Sequence, residues 1–367
     1  MKPSLRLLAV LLLSSLLHAA ETTPVRTRPP VVTSPDVQAD RRVTFRLMAP
    51  KAAEVVVAGQ WPEGRAAMTK DTNNVWSVTV GPVPAGVWEY SFQVDGVGMI
   101  DPGNPAIKPM RQPRTSILHL PADPPALVDF QPVPHGAVHL HTYASKALGR
   151  PREMAVYTPP DYAQRPEARY PVLYLQHGSG DNQATWTVHG KAHWLLDNLI
   201  AQGKSKPMVV VMLDGHAVVG GGGPGGNTQG FERDLLEDAM PFAEANYRVS
   251  AEPAGRALVG LSMGGEQALR IGLNHLDRFA WIGGFSAAAP AREAVASVLD
   301  NAAAANDRLK LLWIGCGRED FLLKRNEEFV ALLKEKNLRH EWHLTDGNHS
   351  WPVWRGYLAD LAPRLFQ

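Results

Sequence analysis

The sequence predicts a small all-β sandwich followed by a larger α/β domain with a mostly parallel central sheet. Three observations carry this. At 367 residues the chain exceeds the roughly 250–300 that one core usually supports. Between 41 and 120, short β-branched and aromatic runs are separated by turn residues, with no helical period. From 135 onward, apolar runs alternate with helical stretches, which is the grammar of parallel strands covered on both faces.

The elements follow in order. Residues 1–20 have the make-up of a signal peptide: Lys2 and Arg6, an apolar run Leu7 to Leu17, then Ala19-Ala20. That run, about eleven residues, is too short to span ~30 Å of hydrocarbon, so an exported chain in the periplasm or outside the cell is expected, not an anchored one. Residues 21–40 are polar and Pro-rich and are expected to form a flexible leader. The sandwich is assigned to 41–120, with strands at Val43 to Leu47, Glu54 to Ala58, Val75 to Val80 and Val87 to Val94. A Pro-rich linker covers 121–134, and the α/β domain covers 135–367. Its strands are expected at Gly136 to Tyr143, Arg152 to Thr158, Tyr170 to Leu175, Pro207 to Met212, Ala257 to Gly260, Phe279 to Phe285, Leu309 to Ile314 and Arg339 to Leu344. Helices are expected at about 190–202, 230–246, from 263, at 322–336 and from Pro352.

The chemistry centres on Gly260-Leu261-Ser262-Met263-Gly264, which follows an apolar strand and opens a helix. A sharp strand-to-helix turn pushes a serine hydroxyl clear of the backbone, and flanking glycines prevent clashes there. Ser262 is the expected nucleophile. A hydroxyl needs a base, and chain order in such sites places it near the C-terminus, where His349 lies in the loop after the last strand. Asp320, in the Gly-rich loop after Trp313-Ile314, is the expected acid that orients the imidazole. Its neighbour Glu319 is the alternative, and helix capping is the competing role for Asp320. The amide of Met263, at a helix start, and that of Ser179, in the loop Gln176-His177-Gly178-Ser179-Gly180, are the expected oxyanion donors. His177, Trp186, Asn227 and Trp351 are expected to contact substrate. The run Gly220 to Gly226 lacks the Lys-Ser/Thr of a phosphate loop and is expected to form a mobile rim.

Other functions are excluded or expected absent. A formal net charge of +1 gives no electrostatic reason to bind nucleic acid or an anionic membrane. Cys316 is the only cysteine, so no intrachain disulfide can form. His139/His141 and His189/His193 lack the companions of a zinc motif, so structural roles are expected, with no metal and no cofactor.

The segments Val211 to His216, Phe231 to Leu235, Tyr247-Arg248-Val249, Arg256 to Gly265 and His349-Ser350-Trp351 resemble the esterase D-like α/β-hydrolases. Within that group the chain is most similar to the family 1 carbohydrate esterases, which include feruloyl and acetyl xylan esterases. The resemblance covers roughly 135–367. It implies an α/β-hydrolase fold, a triad of Ser262, Asp320 and His349, an oxyanion hole from Ser179 and Met263, and an esterified polysaccharide or oligosaccharide as substrate. Ser179-Gly180 departs from relatives that often carry glycines or bulkier residues there, without affecting a backbone role. Residues 40–105 resemble the early-set immunoglobulin-like domains related to family 48 carbohydrate-binding modules. Trp76 and Trp88 are expected in packing, and Trp61, in a loop, is the better candidate for stacking on sugar. Competing readings are a siderophore esterase, a thioester hydrolase or an acyltransferase with the same triad, and a carbohydrate-binding protein with an inactive hydrolase domain. The acyl group and the oligomeric state are not legible.

Overall fold

The computed structural model describes residues 32–218 and 226–367. The signal-peptide segment lies outside the described residues, as does all of the glycine run except Gly226.

The first domain is two antiparallel sheets. One joins Asp36–Val37, Val43–Met48, Val75–Val80 and Thr69–Lys70. The other joins Arg65–Ala67, Val55–Gly59, Gly86–Val94 and Val97–Met99, with Ser116–Leu120 pairing on Gly86–Val94. Alternate residues of these strands face inward, so Phe45, Val55, Val57, Tyr90 and Phe92 form the core between the sheets. Two expectations need correcting here. The leader does not extend to residue 40: Asp36–Val37 pairs with Val43 and Thr44, and the Ser34 hydroxyl donates to buried Asp101 at 2.6 Å. Trp61 is not offered to sugar: it is only 4% exposed and stacks on Phe45, with centroids 5.8 Å apart. A loop position hid this, because the ring packs into the sandwich core beside Phe45 and Tyr90.

The second domain is an eight-stranded sheet, whose strands are β1 (Ala137–Ser145), β2 (Arg150–Thr158), β3 (Val172–Gln176), β4 (Val209–Leu213), β5 (Arg256–Leu261), β6 (Trp281–Phe285), β7 (Leu311–Gly317) and β8 (Glu341–Thr345). Their order is β1-β2-β4-β3-β5-β6-β7-β8. The first two strands are antiparallel and β3 to β8 run parallel. This is the α/β-hydrolase architecture. Every residue of β3 (VLYLQ) and β4 (VVVML) is buried, which explains their unbroken apolar runs. Helices α1 (Ala192–Ala201) and α4 (Trp351–Leu361) cover one face through Leu195, Leu199, Leu358 and Leu361. Helices α2 (Met263–Asn274) and α3 (Leu323–Glu335) cover the other through Ile271, Leu269, Phe329 and Leu333. The helix expected at 230–246 begins at Gly226 and is π-helical over Asp234–Ala239. The Pro-rich segment 121–134 is packed against the second domain: Asn198 Nδ2 donates to the carbonyls of Leu127 and Asp129.

Because β3 to β8 are parallel, their C-terminal ends open on one edge of the sheet. The loops after β3, β5, β7 and β8 therefore meet there.

Candidate active site

Ser262 joins β5 to α2 with φ 53° and ψ −115°, a conformation that costs a side-chain-bearing residue about 1–3 kcal/mol. The turn is possible because its neighbours lack Cβ atoms. A Cβ at Gly260 would lie 2.2 Å from the Gly264 carbonyl oxygen, and one at Gly264 would lie 2.4 Å from that of His177. The reward is a hydroxyl projected from the strand end with its backbone held: Ser262 N donates to Phe285 O at 2.9 Å.

The β7 and β8 loops are laced together. Arg318 N donates to Thr345 O at 2.8 Å, and Glu319 N to Gly347 O at 3.2 Å. This presents Asp320 to His349, whose Nδ1 lies 2.9 and 3.0 Å from the two carboxylate oxygens. With Nδ1–H donating there, Nε2 carries a lone pair, and it sits 3.0 Å from Ser262 Oγ. Burial on its own would raise the Asp320 pKa. Hydrogen bonds from His349 and from the Leu322 N–H more than offset that, so the carboxyl lies below its ordinary range. Asp320 does not cap α3, which has no side-chain cap; its Oδ1 instead accepts from Leu322 N at 2.8 Å in the turn before the helix. Glu319 does not face His349; its Oε2 accepts from Gly347 N at 2.5 Å and ties the histidine loop instead.

The loop after β3 approaches so closely that a Cβ at Gly178 would lie 3.3 Å from Ser262 Cβ. Around Ser179 the backbone groups are engaged. His177 Nδ1–H donates to Gly178 O at 2.8 Å, Gly180 N donates to His216 Nε2 at 3.2 Å, and Gly180 O accepts from Arg111 N at 2.9 Å. Burial, with nearby His177 next, pulls His216 down to about 4, which keeps it neutral and able to accept. The amides of Ser179 and Met263, by contrast, donate in none of the described loop or side-chain hydrogen bonds. Met263 follows Ser262 directly, and the Gly178 loop brings Ser179 close to the same turn.

The four expected substrate contacts need correcting. His177 is 1% exposed and lies beneath the loop, its Nε2 accepting from Gly215 N at 2.9 Å. Trp186 is 1% exposed, donates to Gln176 O at 3.0 Å and packs edge-on against Trp351, which is also buried. Asn227 has its amide committed to the loop after β4: Oδ1 accepts from Ala217 N and Nδ2 donates to Gly215 O. His177, Trp186 and Trp351 lie near the catalytic loops in sequence, but their side chains are buried beneath them, while half-buried Asn227 braces the loop after β4. Trp186→Ala should therefore cost about 3–5 kcal/mol of stability with KM nearly unchanged, checked by denaturant melts alongside ester kinetics.

Two residues escaped sequence reasoning. Phe321 is 76% exposed and its ring lies 4.5 Å from that of His349. Trp354 is buried on α4 and packs edge-on against the same imidazole at 4.9 Å. An exposed phenylalanine adjoining the acid in sequence was the available signal. Trp354 offered none, because its place depends on how α4 packs.

The Esterase family matches residues 145–365, more than half of the chain. The chain belongs to the Esterase family. Ahead of the esterase region, Carbohydrate-binding module 48 (Isoamylase N-terminal domain) matches residues 33–109. A relative from Xylanibacter ruminicola, "Endo-1,4-beta-xylanase/feruloyl esterase", is 32% identical over 91% of this chain and 46% of its own length. "Esterase Rv1288" of Mycobacterium tuberculosis is 34% identical over 38% of this chain and 30% of its own. The chain thus spans less than half the length of these curated relatives. A solved ferulic acid esterase aligns with 64% of this esterase and 100% of its own chain, at 28% identity and a TM-score of 0.55. The enterobactin esterase FES from Shigella flexneri shares the fold over 89% of this chain and 93% of its own, at 20% identity and a TM-score of 0.61.

Proposed function

We propose that this esterase removes feruloyl or acetyl groups from a plant polysaccharide such as xylan through an acyl-enzyme on Ser262. The observation that carries the reading is the 3.0 Å contact between Ser262 Oγ and a His349 already oriented by Asp320, beside two free amides. The Xylanibacter ruminicola relative, named for both xylanase and feruloyl esterase, supports the substrate class.

In this mechanism Ser262 Oγ attacks the ester carbonyl while its proton passes to His349 Nε2. The carbonyl electron pair moves onto oxygen, where the Met263 and Ser179 amides donate to it. The tetrahedral adduct collapses, the C–O bond to the sugar breaks, and the alcohol leaves with the His349 proton. A water then gives its proton to His349 and adds to the acyl carbonyl. Collapse releases the carboxylic acid, and the proton returns to Ser262 Oγ. Asp320 stays ionised throughout and stabilises the imidazolium. The chain is proposed to act after export, supported by Lys2, Arg6 and the short apolar run before Ala19-Ala20; no described helix is long and apolar enough to cross a membrane.

Phe321, exposed beside His349, offers an aromatic face to a bound acyl ring. Phe321→Ala should raise KM for methyl ferulate by about tenfold, from loss of ring stacking and burial, and change KM for an acetyl ester far less. Equal effects on both esters would remove Phe321 from acyl recognition. The function itself is tested by product analysis on feruloyl and acetyl xylo-oligosaccharides and on enterobactin, with Ser262→Ala as control. Release of ferulate or acetate is expected; turnover of enterobactin alone would contradict it.

A further inference from the structure

The sandwich reaches into the site. The connection before its last strand, Ser116–Leu120, runs past the loop after β3, where Arg111 N bonds Gly180 O at 2.9 Å and the Thr185 hydroxyl donates to Pro109 O at 2.7 Å. Met110 bridges Asp181 as an isolated pair of antiparallel strand residues. At the centre stands Lys108, with its side chain only 8% exposed. Its Nζ lies 3.0 Å from Glu89 Oε1 on the sandwich and 2.9 Å from Asp181 Oδ1 on the hydrolase. The same ammonium lies over the ring of Trp351, 5.7 Å from its centroid. Asp181 ends the four-residue loop Gly178 to Asp181 that presents the Ser179 amide, and its own N–H bonds Gly178 O at 3.3 Å. A buried lysine joining two buried carboxylates from different domains is costly to break, because any single deletion leaves an uncompensated charge.

We propose that Lys108 is a positioning residue for the reaction: through Asp181 it holds the oxyanion loop at Ser262, so the sandwich is a working part of the esterase site. This rests on the reading of the Ser179 amide as an oxyanion donor. The sandwich supplies the charge, the strap from Lys108 to Arg111 supplies a backbone clamp, and the hydrolase supplies the loop. Each oxyanion hydrogen bond depends on a few tenths of an ångström, so slackening the loop weakens transition-state binding more than substrate binding.

The test uses the full chain carrying Lys108→Met, which keeps the apolar stem and removes the charge. Active sites are counted with a fluorophosphonate, so that unfolded protein does not enter kcat. Nitrophenyl acetate kcat per titrated site should fall on the order of 10- to 100-fold, below the roughly 10²–10³-fold of an outright lost oxyanion donor because the amide is loosened and not removed. KM should stay within about twofold, and affinity for a trifluoromethyl ketone, which binds as an oxyanion, should fall in parallel with kcat. Should Lys108→Met fail to fold, Asp181→Ala decides, since it leaves Lys108 paired with Glu89; the same loss of kcat is expected. A kcat within twofold of the parent in the folded variant overturns the proposal, whatever happens to the unfolding temperature. That outcome leaves the Ser262 mechanism standing. A parent enzyme whose turnover survives Ser262→Ala would instead remove the mechanism on which the proposal rests.

Discussion

Replacing Ser262 with alanine is expected to lower kcat for a nitrophenyl ester by about 10⁶-fold while leaving the fold intact. The size follows from the geometry. His349 Nε2 lies 3.0 Å from Ser262 Oγ, and among the described residues no other hydroxyl is bonded to that imidazole. Without Oγ, only water and the two amides remain to promote hydrolysis. The fold should survive because the turn is set by Gly260 and Gly264, and alanine needs no hydrogen-bond partner. Relief of steric crowding does not arise, since alanine also carries a Cβ into the positive-φ position. Circular dichroism and the melting temperature check the fold, and initial rates check kcat.

Asp320→Asn should lower kcat by about 10⁴-fold, while Glu319→Gln lowers it by less than about tenfold. The hydrogen bonds explain the asymmetry. The Leu322 N–H must have an acceptor, and Oδ1 of residue 320 provides it at 2.8 Å. An asparagine that keeps this bond turns its NH₂ toward His349 Nδ1. The imidazole must then carry its proton on Nε2, where it cannot accept one from Ser262. Among the described residues the Glu319 side chain accepts only from Gly347 N, and glutamine retains an oxygen for that purpose. If Glu319→Gln proved the more damaging change, the acid would have been wrongly assigned. Comparing kcat for the two variants at one pH settles the matter.

Much of this was legible because the signals are local. The apolar runs of β3 and β4 are continuous because both faces are covered, and the motif around Ser262 is glycine-bracketed because the turn excludes Cβ atoms. The order Ser262, Asp320, His349 follows from parallel strands that all end on one edge. What stayed hidden depends on packing between distant segments. Trp61 has the neighbours of a loop residue, yet it closes the sandwich core against Phe45. His177, Trp186 and Trp351 sit beside catalytic loops in the sequence, but whether a side chain points in or out is decided by partners far along the chain, such as Gly215 for His177. Phe321 adjoins the acid in sequence, but its exposure and its contact with His349 depend on packing. Lys108 is the extreme case: its two partners, Glu89 and Asp181, belong to different domains.

The central claim is that Ser262 becomes covalently acylated. The most direct measurement is peptide mapping by mass spectrometry after brief treatment of the full chain with a fluorophosphonate. One adduct per chain is expected, on the peptide containing Ser262, and it should be lost when substrate ester is present in excess or when Ser262 is alanine. No adduct on a chain that still hydrolyses esters, or an adduct on another serine, would contradict it.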